Sequence, residues 1–165
     1  MMRIKGKKFD FIKEMRRLPN GLRVQLEIIE HPGAVLIIPF ISAKEVIFLR
    51  QYRPAFKRYI YELPAGTLEK KEQPRICAKR ELTEETGYTC VKLTKLGKIF
   101  PVPGYSTEVI YIYKADELIL KSATMDEDEI IKKKILHRDE VRRLFKTGKI
   151  LDAKTICALA LCGWI

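Results

Sequence analysis

Residues 66–88 read GTLEKKEQPRICAKRELTEETGY. Proline fits the first turn of a helix and glycine readily adopts the left-handed conformation that ends one, so Pro74 and Gly87 delimit a helix over 74–86. Glu81, Glu84 and Glu85 lie within five residues of one another in this run. At about 100° per residue they point into one sector, where like charges a turn apart repel by roughly 0.2–0.5 kcal/mol per pair. Cys77 flanks them on one side and Ala78 with Leu82 on the other, so the acids interrupt an apolar face instead of sitting opposite it. Such a pattern calls for a cation, and several carboxylates partly withdrawn from water suit a hard divalent ion, Mg²⁺ or else Mn²⁺. The bland alternative is a surface helix whose charges only add solubility. Arg80 is expected to lie away from the three acids and to clamp Glu72 or a neighbouring acid, holding the helix against the loop before it.

Gly66, five residues, Glu72, seven residues, then Arg80-Glu81-Leu82-x-Glu84-Glu85-x-Gly87-Tyr88 is a gapless pattern. It resembles the Nudix box. The resemblance implies an α/β fold, the α/β/α sandwich with a mixed sheet, and hydrolysis of a nucleoside diphosphate linked to another group. It also implies a divalent metal held by the side chains of Glu81, Glu84 and Glu85 and the carbonyl of Ala65. Glu84 and Arg80 then belong to the catalytic set.

The flanks narrow the resemblance. FLRQYRPAFKRYIYELPAG precedes the helix, and FPVPGYSTEVIYIY follows it with Pro103 sixteen residues after Gly87. Both look like the ADP-ribose pyrophosphatase branch, which implies cleavage of ADP-ribose to AMP and ribose 5-phosphate. Carried over by position, Arg53 and Glu62 are expected near the adenosine or diphosphate, and Pro103, Gly104 and Glu108 on the loop framing the terminal ribose. Arg53 offers a planar donor fork for phosphate oxygens or a face for a base, against the plain reading of a solvated arginine. Glu108, at the head of VIYIY, would accept ribose hydroxyls or simply mark the wet end of a strand. The acidic run Asp126-Glu127-Asp128-Glu129 is a solvated loop by default. By resemblance it supplies the base that deprotonates the attacking water, Glu127 first and Glu129 as the alternative. The branch also implies a homodimer in which the N-terminal strands help enclose the adenine.

The rest of the chain accommodates such an enzyme. Its 165 residues suit a single domain, with N-terminal strands over about 1–31 and a catalytic core over about 33–165. Strand patterns occur near 22–30, 33–41, 45–50, 58–63, 91–100 and 107–114. Further helices are expected over 138–146 and from Asp152, a plausible N-cap, through AKTICALALC. Cys77, Cys90, Cys157 and Cys162 lack CxxC spacing and read as buried free thiols, and His31 and His137 are too separated for a metal site. No apolar run has the length of a signal segment or a membrane span, which leads us to expect a cytoplasmic protein.

The net charge of +11 opens a rival. Basic residues crowd positions 1–17 and Lys132–Lys134, as they would in a nucleic-acid binder, although a basic enzyme also draws anionic substrates. The segment MMRIKGKKFDFIKEM is expected to pack as a first strand, which makes nucleic acid the lesser reading. A Nudix hydrolase of another substrate, such as a nucleotide sugar or dinucleoside polyphosphate, and a non-catalytic nucleotide-sensing domain remain as alternatives.

Overall fold

The computed structural model describes residues 1–121 and 131–165. Among them, strands Met2–Lys5 (β1), Asp10–Arg17 (β2) and Arg23–Glu30 (β3) form a small antiparallel sheet. A larger mixed sheet is built from Ala34–Ser42 (β4), Glu45–Arg53 (β5), Arg58–Glu62 (β6), Ala65–Thr67 (β7), Tyr88–Ile99 (β8), Ile110–Leu120 (β9) and Ile131–His137 (β10). Its main path runs β10-β5-β4-β9-β8, with β6 on β5 and β7 on β4. The β4–β9 pairing is parallel and the others are antiparallel. Helices Pro74–Thr86 (α1), Arg138–Lys146 (α2) and Ala153–Leu161 (α3) complete the described elements.

The run AVLIIPF in β4 is apolar on both faces because both faces are covered. Leu36, Ile38 and Phe40 pack with Val141 and Leu144 of α2 and Ala158 and Leu159 of α3. Val35 and Ile37 pack on the other side with Cys77, Ala78 and Leu82 of α1. Alternation along a strand thus assigns one helix layer to each face, giving the α/β/α arrangement. α1 begins at Pro74 and ends at Gly87, whose φ of 73° lets its N–H bond the Thr83 carbonyl at 2.8 Å. No helix among the described residues is long and apolar enough to cross a membrane.

Several expectations need correction. The N-terminal segment forms two strands, not one, because residues 6–9 turn back so tightly that a Cβ on Gly6 would lie 2.3 Å from the Phe9 carbonyl oxygen. Three of the seven basic residues in positions 1–17 are paired internally, Arg3 with Asp10 and Glu30, Lys13 with Glu27, and Arg16 with Glu14. That weakens the nucleic-acid reading. Lys132–Lys134 lie in the edge strand β10, where lysines discourage further strand pairing. Lys133 donates to the Thr86 carbonyl at 2.8 Å, placing a cation at the negative end of α1. Cys157 is exposed, on the outer side of α3, while Cys77 and Cys90 are buried as expected.

Candidate active site

A cleft of about 1230 Å³ opens where α1, the start of β7, the end of β5 and the first turn of α3 meet. Glu81, Glu84 and Glu85 line one wall, and Arg53, Glu108 and Lys154 also border the space. Glu85 is only 6% exposed, and its Oε2 accepts the Ala65 N–H at 2.9 Å, which fixes the helix against β7. Gly66 explains itself here. A Cβ at that position would sit 1.8 Å from the Glu81 carboxyl carbon, so the glycine leaves the space that this carboxylate fills.

Arg80 serves both sides of this arrangement. Its Nε and Nη2 bond the two Glu72 oxygens at 3.0 Å each, the expected clamp between helix and loop. Contrary to the helical-wheel expectation, it does not lie away from the acids: Nη1 reaches Glu81 at 2.7 Å and Glu84 at 2.9 Å. A wheel records the direction of Cβ, whereas a guanidinium on a long flexible stem can bend along the helix to residues i+1 and i+4. The hydrogen bonds from Arg80 hold the Glu72 carboxyl at about 2, down from 4.5. Because this pKa is depressed, the stabilisation is complete above the ordinary value and is lost as pH falls through about 2. Glu72→Gln should therefore flatten the acid limb of stability below pH ~4.5, read from denaturant midpoints across pH. An unchanged limb would contradict the clamp. Burial pushes the neighbouring Cys77 thiol up to about 12, so it stays protonated and is no nucleophile at neutral pH.

Arg53 and Glu62 come together as a bidentate pair, with Nε to Oε1 at 2.8 Å and Nη2 to Oε2. Glu62 is 2% exposed and lies beneath Arg53, so it holds the arginine while Arg53 itself borders the cleft. His31 Nδ1 accepts the Gly33 N–H at 3.0 Å and stands 3.9 Å from the Glu108 carboxylate. Pro103 and Gly104 form the exposed turn closed by the Val102 carbonyl, and Pro101 and Glu108 are the members of that loop that line the cleft. The loop is tied to β3 through Ile29, which bonds Tyr105 at 2.7 Å and Thr107 at 3.0 Å. Glu127 and Glu129 lie outside the described residues.

Lys154 is one of the cleft residues that sequence reasoning missed, as are Lys7, Lys8 and Gln51. Its one signal was a lysine two places after the expected N-cap Asp152, where the positive end of a helix disfavours a cation.

The NUDIX domain family model matches residues 30–159. The chain belongs to the Nudix family. This places it among the Nudix hydrolases, enzymes that act on phosphoanhydrides and generally use divalent metal ions. The Nudix chain is 38% identical over 156 residues to an ADP-ribose pyrophosphatase of Bacillus subtilis (strain 168), covering 93% of this chain and 84% of that one. It is 41% identical over 144 residues to a methanol dehydrogenase activator of Bacillus methanolicus, covering 86% and 78%. Among solved structures it resembles an ADP compounds hydrolase with a TM-score of 0.82 at 26% identity, covering 96% of this chain and 86% of that one.

The donors present fit such an ion. Among the described residues no group of three or more His, Cys, Asp or Glu is drawn together into a metal site. Mg²⁺, however, is usually held by one or two carboxylates together with water and substrate phosphates, not by an all-protein cage. An open wall of three carboxylates beside a wide cleft, with a glycine leaving room for one of them, is compatible with that mode of binding.

Proposed function

We propose that this Nudix hydrolase cleaves the diphosphate of ADP-ribose to AMP and ribose 5-phosphate, using Mg²⁺ or Mn²⁺. The observation that carries this reading is one cleft bordered by the three α1 glutamates and by Arg53, since a nucleoside diphosphate needs both an ion-binding face and a cationic donor. The similarity to ADP-ribose pyrophosphatases supports the choice of substrate.

Glu81, Glu84 and Glu85, with the Ala65 carbonyl, would hold the ion. When bound, it would neutralise diphosphate charge and lower the pKa of a water. The chain's own residues do the positioning. Ala65 N–H orients Glu85, and Arg80 orients Glu81 and Glu84. Arg53 sets one edge of its guanidinium on Glu62, which among the described residues leaves its Nη1 group for a phosphate oxygen or its face for the base. Glu108 would accept hydroxyls of the terminal ribose. The carboxylate of Glu127, or else Glu129, would take the proton from the attacking water. A homodimer joined through the N-terminal strands belongs to the same proposal, supported by exposed Met2, Ile4, Met15 and Leu22 on or beside β1–β3.

Incubation with ADP-ribose and Mg²⁺ should give AMP and ribose 5-phosphate in equal amounts, and a chelator should stop the reaction. Turnover that persists after complete metal removal, or release of free ADP, would contradict the proposal.

A further inference from the structure

A lysine in the first turn of a helix faces the positive end of the helix dipole, and burial adds a desolvation cost. Lys154 accepts both: it lies in the first turn of α3 with a side chain only 19% exposed. Two carboxylates compensate. Its Nζ is 2.9 Å from Asp152 Oδ1 and 3.4 Å from Glu62 Oε2. The Asp152 end of this bridge is fixed, since Oδ2 accepts the Thr155 N–H at 3.1 Å and the Thr155 hydroxyl at 2.6 Å. That hydroxyl in turn accepts the Leu63 N–H at 3.0 Å, binding α3 to the residue that follows Glu62.

Glu62 Oε2 is therefore shared by Arg53 Nη2 and Lys154 Nζ, while Oε1 takes Arg53 Nε. A bidentate pair is close to coplanar, so whatever sets the plane of the Glu62 carboxylate also sets the plane of the Arg53 guanidinium. We infer that Lys154 is a positioning residue that acts through Glu62 to fix the orientation in which Arg53 meets the substrate. The inference rests on the reading that a nucleoside diphosphate derivative occupies this cleft. Glu62 first, and Glu85 and Asp152 to a lesser degree, favour the charged form of Arg53.

A double-mutant cycle separates this role from two simpler ones, a direct substrate contact and mere structural support. Lys154→Met keeps the length of the stem and removes the charge. It should raise KM about tenfold with kcat within about twofold of wild type. In an Arg53→Ala background the same substitution should add less than about twofold, because the group it positions is gone. Lys154→Arg should bring KM back to within about threefold of wild type, since it restores a cation beside Glu62. Effects that multiply in the double variant would show that Lys154 touches the substrate independently, and would overturn the inference. So would an unchanged KM in Lys154→Met, whatever its melting temperature. If Lys154→Met does not fold, Lys154→Gln, which retains a donor for one carboxylate, is carried through the same cycle. The cycle uses whichever nucleoside diphosphate derivative the wild type cleaves. Wild-type inactivity on ADP-ribose would thus refute the substrate while still testing Lys154.

Discussion

Glu85→Gln is expected to lower kcat by about 10²–10³-fold while leaving the protein folded. Glu85 lines the cleft although nearly buried, and its Oε2 accepts the Ala65 N–H at 2.9 Å. Glutamine has the same shape, and its carbonyl oxygen can accept that N–H, so the link between α1 and β7 survives. What disappears is one negative charge on the wall proposed to hold the ion. A melting temperature within about 4 °C of wild type, with turnover lost, separates charge from architecture. Turnover within about threefold of wild type would remove Glu85 from the ion-binding set.

Gly66→Ala should cost about 10–10²-fold in activity for a steric reason. The new Cβ would stand 1.8 Å from Glu81 Cδ and 1.9 and 2.4 Å from its two oxygens, well inside contact distance. Residue 66 cannot easily retreat, because it is paired with Val35 in the sheet. The flexible end of Glu81 can move, so it must leave its place and its 2.7 Å contact with Arg80. Yielding by a side-chain tip limits the stability loss to about 1–3 kcal/mol, the usual range for overpacking. Denaturant unfolding and steady-state kinetics on the same preparation measure both quantities. Activity retained alongside a large loss of stability would mean that the backbone had moved instead, and that the glycine serves packing more than chemistry.

The helix carrying these glutamates was legible because its signals are local. Pro74 and Gly87 act on their own backbone, and the apolar positions 77, 78 and 82 recur at helical spacing. The central strand β4 was legible from its unbroken apolar run. Features set by tertiary pairing were not. Ile131–His137 contains a lysine run that reads as a basic patch, and only its register against β5 makes it a strand. The short strand Ala65–Thr67 carries no β-branched pattern and exists by pairing with β4. At the site, residue identities could be read but reach could not: Arg80 bends to Glu81 and Glu84, and Glu62 lies under Arg53 instead of facing the cleft. Lys154 comes from far along the chain, and only the folded structure brings it to Glu62.

The central claim is tested most directly by kcat/KM for wild-type protein with Mg²⁺ on ADP-ribose, a nucleotide sugar and a dinucleoside polyphosphate, measured side by side. ADP-ribose should be preferred by at least about tenfold, the discrimination expected when Arg53, Glu108 and the carboxylate wall engage one ligand together. Equal rates on all three, or a clear preference for either of the others, would contradict ADP-ribose as the substrate for which this cleft is built.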